Sequence, residues 1–273
     1  MVAQALRIAR RPRDFVGVAG PDSEDHLQRM LSQDVAIGVD EAREALLLTA
    51  KARVIAPMIV LRRGPKNFLL SLERGLGERV ASELRRSRFA AKVEIEPEQH
   101  AAVLVFGERP AGVSYPVADY GEPAWEALDA RIPPPVELLD DVELEWLRIH
   151  ARTPRVGLEI DDRVLPAEAG LVERAVSFTK GCYPGQEPVA RLHHRGRANR
   201  GLRLFRLDTH EVPPYDAELE YEGKVVGRVT SAMNAHGGVA ALAYVRREVP
   251  ADAELTCGRA VARPLDWSPL PRP

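Results

Sequence analysis

The chain has little cysteine, almost no net charge and no long hydrophobic run. Its 273 residues include only two cysteines, Cys182 and Cys257. Two are too few for a disulfide framework and predict a reducing compartment. The 38 basic and 40 acidic residues nearly cancel, which argues against nucleic acid as a partner. Because no apolar run is long enough for a membrane span or a signal peptide, we expect a cytoplasmic protein with no membrane partner.

Common catalytic and cofactor motifs are also missing. The sequence has no HExxH zinc motif, no Walker loop, no GxGxxG after a strand and no GxSxG elbow. It does have an unusual segment, KGCYPGQE at residues 180–187, in which a cysteine follows a lysine and is bracketed by two glycines. A stretch rich in arginine and histidine, residues 191–206, follows closely. These two stretches are therefore the first candidates for function.

Hydrophobic periodicity predicts an α+β fold. Helices are expected within residues 21–35, capped by Asp22, and within residues 73–89 and 140–154. Alternating apolar segments between residues 45 and 107 predict strands, with the helix at 73–89 between them. This order suits helices packed on one face of an antiparallel sheet.

The second half of the chain is expected to contain a separate barrel. Residues 107–135 are rich in glycine and proline and are predicted to be a connector. Short strands with regular turn signals after residue 200 predict a small β-barrel. We therefore expect one region at residues 1–200, with two interleaved α+β subdomains of which the second spans about 48–107, and a barrel domain at residues 201–273.

Cys182 is the candidate reactive group. The thiolate is the reactive form of cysteine and a neighbouring cation favours it, so Lys180, two residues earlier, is expected to lie near the sulfur. Gly181 and Gly185 leave room for a ligand or partner to approach the main chain. The alternative for a lone thiol is burial as a small apolar side chain, which is the role expected for Cys257.

The basic stretch allows several interpretations. It could bind phosphate, a polycarboxylate tail or RNA, or it could be a solvated surface whose charges pair with acids elsewhere. Phe205 is its one Phe, Tyr or Trp, which weakens an RNA interpretation because base stacking needs aromatic side chains. His193 and His194 together with Cys182 would leave a tetrahedral metal site one ligand short.

The KGCYPGQE segment, with the VAR and RG that follow it, resembles the signature of the YgfZ-type, folate-binding iron–sulfur maturation family. That family is related to the aminomethyltransferase (T-protein) of the glycine cleavage system. The segments HLQRMLSQDV, LRIHARTPRVGLEI, LPAEAGL and GKVVGRVTSA extend the resemblance over most of the chain. It implies a GcvT-like ring of three subdomains around a central folate-type pocket, with a C-terminal small β-barrel.

The resemblance also implies a function and a set of site residues. The implied function is assembly, insertion or repair of iron–sulfur clusters, with iron–sulfur assembly proteins or client enzymes as partners. The implied catalytic residues are Cys182 and Lys180. Because a cluster takes four protein ligands, Cys182 could hold one only transiently, with further ligands from a partner. The residues implied for tetrahydrofolate or a related pteridine are Tyr183, Gly185, Gln186, Glu187, Arg191, Arg195 and Arg148.

The sequence departs from the related patterns at several positions. The acidic positions of the T-protein correspond to Ala56 and Pro57, which cannot perform acid–base chemistry. Ala52 replaces the glycine of the usual Lys-Gly-Arg. His150 and Arg152 replace the glutamate and glycine of L-R-I-E-A-G, and a neutral imidazole offers one acceptor where a carboxylate offers several. Folate is therefore expected to bind weakly, in an altered pose, or not at all.

Three functions remain open from the sequence. The favoured one is an accessory factor for iron–sulfur clusters that acts through Cys182. The second is a folate-dependent, aminomethyltransferase-like enzyme, against which Ala56 and Pro57 argue. The third is an RNA-associated protein, for example in tRNA modification, that uses the arginines of residues 191–206.

Overall fold

The computed structural model describes residues 5–235 and 237–265, and of Arg195 only the main chain. It is an α+β fold, as the sequence predicts. The chain divides into two compact units. The first unit contains the chain up to Ala118 together with Glu122–Leu139 and Leu171–Arg195. The second unit contains Asp119–Gly121, Asp140–Gly170 and the chain from Gly196 onward.

The first sheet of the first unit is antiparallel and built from long apolar strands. In spatial order it consists of β3 (Ala42–Leu48), β4 (Val54–Gly64), β5 (Asn67–Glu73), β2 (Arg13–Ala19) and β6 (Glu94–Glu98). The central strands are rich in Leu, Ile and Val, whose side chains suit a pleated surface that is largely buried. The strands that the sequence predicts between residues 45 and 107 are thus present.

The second sheet of the first unit shows that one prediction is wrong. In spatial order it consists of β10 (Val136–Leu139), β1 (Leu6–Arg10), β7 (Ala102–Phe106), β9 (Ala124–Leu128) and β8 (Ser114–Val117). Two of these strands lie inside residues 107–135, which the glycine and proline content had indicated as a connector. A buried polar pair holds them in register, because the Tyr115 hydroxyl donates to the Glu126 carboxylate over 2.8 Å.

Over its described residues, the first unit has four helices. They are α1 (Ser23–Met30), α2 (Gly77–Arg86), α4 (Val172–Ala175) and α5 (Gln186–Arg195). The expected cap of α1 is wrong, because the Asp22 carboxylate makes no cap bond and instead accepts from the Lys92 main-chain N–H at 2.7 Å. This bond ties the start of α1 to a loop 70 residues away along the chain.

The second unit contains the predicted barrel. Its six strands close in the order β11 (Arg200–Leu207), β14 (Gly238–Arg246), β13 (Lys224–Ala235), β12 (Glu218–Tyr221), β15 (Leu255–Cys257) and β16 (Ala260–Pro264). Phe205, Leu219 and Val245 fill its interior together with Cys257, so the expectation of a core role for Cys257 is confirmed. Helix α3 (Asp141–His150) contacts β13 and β14.

Helix α3 begins where its sequence predicts. The Asp140 carboxylate accepts from the Glu143 N–H, and the Glu143 carboxylate accepts from the Asp140 N–H, which forms a capping box. None of the helices in the described ranges combines the length and apolar character that a membrane span requires.

Candidate functional site

Cys182 lies in an irregular segment between α4 and α5, and its side chain is exposed. Cys257, by contrast, is buried in the barrel, where burial raises the pKa of its thiol. The two cysteines therefore differ in environment, and only Cys182 presents its sulfur to solvent. An accessible sulfur is the first requirement for a thiol that reacts or binds metal.

Lys180 is bound to main-chain oxygens. Its ammonium group donates to the carbonyl oxygens of Gln28 at 2.8 Å, Leu31 at 2.6 Å and Gln33 at 2.9 Å. A lysine ammonium has three N–H donors, so these three bonds leave none for the Cys182 sulfur. Burial lowers the pKa of Lys180 to about 8, although the nearby Asp34 carboxylate partly opposes that shift.

Tyr183, directly after the cysteine, is buried. Its ring centroid lies 5.4 Å from the Lys180 Nζ atom, close enough for a cation–π contact. Its hydroxyl has no hydrogen-bond partner among the described residues. Burial raises the pKa of Tyr183 to about 12, so the phenol stays protonated at neutral pH. Tyr183 thus serves as an apolar anchor beside the exposed cysteine.

Gly185 fits closely against the turn between β3 and β4. Its φ is +81°, in the left-handed region. A Cβ atom at this position would lie 2.6 Å from the Thr49 carbonyl oxygen and 3.0 Å from the Ala52 Cα atom. Because both neighbours are main-chain atoms, neither can move aside as a side chain would. Only glycine tolerates both the left-handed φ and this close approach of main-chain atoms.

The turn that receives Gly185 is itself held by short-range bonds. The Ala52 N–H donates to the Thr49 carbonyl oxygen at 2.8 Å, and the Arg53 N–H donates to the Thr49 hydroxyl at 3.0 Å. Ala52 is fully buried and has a φ of +59°. It therefore keeps the left-handed conformation expected of the glycine that it replaces.

Helix α5 starts at Gln186 and carries several of the expected ligand residues on its exposed surface. Glu187 and Arg191 form an ion pair at 2.5 Å, one helical turn apart and well exposed. Such exposed pairs contribute little to stability, so both groups remain available to a ligand. The His193 ring stacks on Phe178 with the centroids 4.1 Å apart.

The histidines do not complete a metal site with Cys182. Within residues 5–235 and 237–265, no group of three or more His, Cys, Asp or Glu side chains could hold a metal ion. The proposed role of Cys182 as a ligand shared with a partner stays a prediction, because that arrangement requires only one ligand from this chain.

The arginines of the basic stretch have different environments. Arg200 binds the Glu168 carboxylate at 3.1 Å, and Arg203 donates to the main-chain oxygens of Val249 and Pro250. These two side chains thus have structural partners within the second unit. The Arg195 side chain lies outside the described part of the chain, so its predicted ligand contact stays a prediction.

Ala56 and Pro57, which the resemblance assigns to the acidic positions of the T-protein, lie in β4. Ala56 is fully buried, and Pro57 pairs with Leu46 of β3. Neither side chain has an ionisable group, and both belong to the packed sheet. This part of β4 therefore contributes no proton donor or acceptor to a reaction.

Arg148 is buried and uses all five of its N–H donors within the second unit. Two go to Glu145, one to Glu159, one to the Ser231 hydroxyl and one to the Thr153 carbonyl oxygen. These bonds connect α3 to β13 of the barrel. The expected ligand contact of Arg148 stays a prediction, and it would require one of these bonds to break.

His150 is buried at the end of α3 and has one unused hydrogen-bonding atom. Its Nδ1 atom lies 2.8 Å from the Trp146 carbonyl oxygen, to which it must donate, and its ring stacks on Trp146. Burial lowers the pKa of His150, which favours the neutral ring. The Nε2 atom is then an acceptor, and it has no partner among the described residues.

The C-terminus of α3 adopts a conformation that glycine prefers. Arg152 has a φ of +57°, its N–H donates to the Ile149 carbonyl oxygen, and the Thr153 N–H donates to the Arg148 carbonyl oxygen. These two bonds form a Schellman motif, in which the left-handed residue is usually glycine. Arg152 thus occupies the position of a helix-ending glycine with a residue that is strained there.

We expect Arg152→Gly to raise the free energy of unfolding by about 0.5–1 kcal/mol. Relief of the left-handed strain exceeds the larger conformational entropy that glycine has in the unfolded chain. Urea denaturation of wild type, Arg152→Gly and Arg152→Ala measures the effect. The alanine variant is the control, since it removes the same side chain but keeps the strain. Equal stabilities for the two variants would contradict this explanation.

Comparisons with known proteins agree with the family resemblance that the sequence shows. The model of the CAF17 C-terminal β-barrel domain matches residues 195–270. The chain is 28% identical to the tRNA-modifying protein YgfZ of Edwardsiella ictaluri, over 94% of this chain and 89% of that protein. It is 24% identical to the mitochondrial iron–sulfur cluster assembly factor IBA57 homologue of Pyricularia oryzae, over 90% of this chain and 73% of that protein.

A solved structure shares the fold. The glycine cleavage system aminomethyltransferase T from Bartonella henselae superimposes with a TM-score of 0.81 at 18% identity, covering 96% of this chain and 85% of that chain. The resemblance that the sequence predicts is thus confirmed in its family and its fold. The barrel match, the named relatives and the shared fold together support a YgfZ/GcvT-like family for this chain.

Proposed function

We propose that the protein is an accessory factor for the assembly, insertion or repair of iron–sulfur clusters in other proteins, and that it acts through the Cys182 thiol. The observation that carries this proposal is an exposed cysteine in a segment anchored on both sides. Lys180 binds three carbonyl oxygens before it, and Gly185 packs against the Thr49–Arg53 turn after it. The name of the Pyricularia oryzae relative gives independent support.

The chemistry follows from the number of thiols. Iron–sulfur clusters are held mainly by cysteine thiolates, usually four of them. This chain offers one exposed thiol, because Cys257 is buried. Cys182 would lose its proton to solvent and supply one ligand to a cluster iron, while the partner supplies the others. Such an incomplete ligand set suits brief contact during transfer or repair rather than permanent storage.

The proposal is tested in a strain that lacks the gene. We expect the specific activity of iron–sulfur enzymes to fall, while cluster-free enzymes keep theirs, and re-expression to restore it. The alternative is a direct role in tRNA modification, which is the activity named for the Edwardsiella ictaluri relative. Loss of modified tRNA nucleosides with unchanged iron–sulfur enzyme activities would contradict the proposal and favour that alternative.

Two other candidate functions have less support. Aminomethyl transfer would need an acidic group where β4 has Ala56 and Pro57. RNA binding through residues 191–206 would have to compete with the internal contacts of Arg200 and Arg203. We therefore propose neither as the activity of this protein.

A pteridine such as tetrahydrofolate is the small molecule that we propose as a ligand. The buried His150 Nε2 acceptor, which lacks a partner in the described part of the chain, fits one N–H donor of a pteridine ring. The proposal is one of binding at His150, and it assigns no transfer step to the ligand.

We expect His150→Glu to bind tetrahydrofolate at least about tenfold more tightly than wild type. A carboxylate accepts more hydrogen bonds than imidazole, and bonds to a charged acceptor contribute about 1.5–3 kcal/mol. Isothermal titration calorimetry of wild type, His150→Glu and His150→Ala measures the affinities, and the alanine variant should bind most weakly. Absence of heat with wild type and His150→Glu alike would reject a pteridine ligand.

A further inference from the structure

The end of α1 offers a set of main-chain acceptors that the helix itself cannot satisfy. The last carbonyl groups of any α-helix lack N–H partners and carry partial negative charge. Gln28 in the last turn of α1 and Leu31 and Gln33 just after the helix direct their carbonyl oxygens to a single atom, the Lys180 Nζ. That lysine comes from a segment about 150 residues further along the chain.

Further bonds dock the same segment onto the loop after α1. The Ser32 hydroxyl donates to the Ala175 carbonyl oxygen at 2.6 Å, and the Ser177 N–H donates to the Ser32 carbonyl oxygen at 2.9 Å. The Gln33 side chain donates to the Arg174 carbonyl oxygen. The segment that leads to Cys182 is therefore bound to the end of α1 and the loop after it. Of these contacts, the Lys180 bonds are nearest to the cysteine in sequence.

The geometry selects lysine at this position. An ammonium group presents three donors from one atom in a tetrahedral arrangement, which suits three converging carbonyl oxygens. Arginine keeps the positive charge, but its donors diverge in a planar fork and cannot all meet these acceptors. Methionine fills a similar volume without any donor.

From these contacts we propose that Lys180 is a positioning residue: it fixes the Cys182 segment to the end of α1 and does not ionise the thiol. The proposal refines the expected pairing of Lys180 with the sulfur. The proposal rests on the proposed function only for the chemical role of Cys182. The docking of the segment before Cys182 onto α1 and its loop depends on contacts within the first unit alone.

Hydrogen–deuterium exchange and thiol alkylation test the proposal on the full chain. In Lys180→Met we expect the Ser177 amide to exchange at least tenfold faster than in wild type, while the amides of α2 stay unchanged. We expect the same loss of protection in Lys180→Arg, although this variant keeps the charge. The pH midpoint of Cys182 alkylation by iodoacetamide should shift by less than half a unit in both variants.

Three results would overturn the proposal. One is wild-type protection of Ser177 in both variants. Another is loss of protection in Lys180→Met but not in Lys180→Arg, which would assign the role to charge. The third is a rise of a full unit or more in the alkylation midpoint of Lys180→Met, which would show that Lys180 ionises the thiol. If Lys180→Met does not fold, exchange of the Ser177 amide in Lys180→Arg is decisive. Faster exchange than in wild type supports the proposal, and wild-type protection overturns it. Failure of the proposed function would leave these exchange results unchanged.

Discussion

Cys182→Ser is expected to fold as wild type does and to lose all support of iron–sulfur enzymes in a strain that lacks the gene. The side chain is exposed, so the substitution creates no cavity and leaves no buried group without a partner. The serine hydroxyl does not ionise at neutral pH and is a poor ligand for iron. Enzyme activity should therefore fall to the level of the deletion strain. The measurement is the specific activity of an iron–sulfur enzyme in extracts, normalised to its protein level.

Cys257→Ser is the matched control. It removes the other thiol, but from inside the barrel, where a hydroxyl without a partner is expected to cost about 1–3 kcal/mol of stability. Support of iron–sulfur enzymes should persist in this variant at temperatures where it stays folded. Normal support from Cys182→Ser, or equal loss from both variants in the folded state, would contradict a specific role for Cys182.

Gly185→Ala is expected to have the largest effect on stability, a loss of about 2–4 kcal/mol in the free energy of unfolding. The new Cβ atom would lie 2.6 Å from the Thr49 carbonyl oxygen, closer than real Cβ atoms come, and 3.0 Å from the Ala52 Cα atom, which is an unusually tight contact. The left-handed φ of +81° adds strain. Either the segment moves away from the turn or the turn itself shifts. Urea denaturation, with exchange of the amides near Cys182, measures both effects.

Gly181→Ala provides the comparison for this prediction. Gly181 lies on the other side of Cys182, and among the described residues, its two chain neighbours aside, no heavy atom lies within 4 Å of a Cβ built there. This variant should differ from wild type by less than about 0.5 kcal/mol. Similar losses in the two variants would show that the contact with the Thr49–Arg53 turn does not hold the segment.

Local patterns predicted much of the fold. The alternation of apolar residues located the barrel strands, and hydrophobic periodicity located α3 within residues 140–154. The strands β8 and β9 were missed because glycine and proline dominate the turns around them. Helix α5 was missed because Pro184 and Gly185, which directly precede it, are residues typical of turns. The division at residue 200 stays a prediction.

The site residues indicated by the KGCYPGQE segment, Cys182 above all, stay predictions, and so does the expectation that Lys180 lies near the sulfur. The bonds that Lys180 makes could not be read from the sequence. The carbonyl groups that bind this lysine come from α1 and its loop, and no local pattern reveals contacts over such a separation. In contrast, the substitutions at Ala52 and Arg152 had a readable signal, because each replaces a glycine that the resemblance led us to expect.

The central claim, a single working thiol at Cys182, is tested most directly by blocking that sulfur chemically. Purified wild-type protein is alkylated with iodoacetamide while folded, and mass spectrometry confirms that Cys182 is modified and the buried Cys257 is not. The blocked and untreated proteins are added to extract of the deletion strain, and recovery of iron–sulfur enzyme activity is followed over time. We predict recovery with the untreated protein and none with the blocked one. Equal recovery with both would contradict the claim.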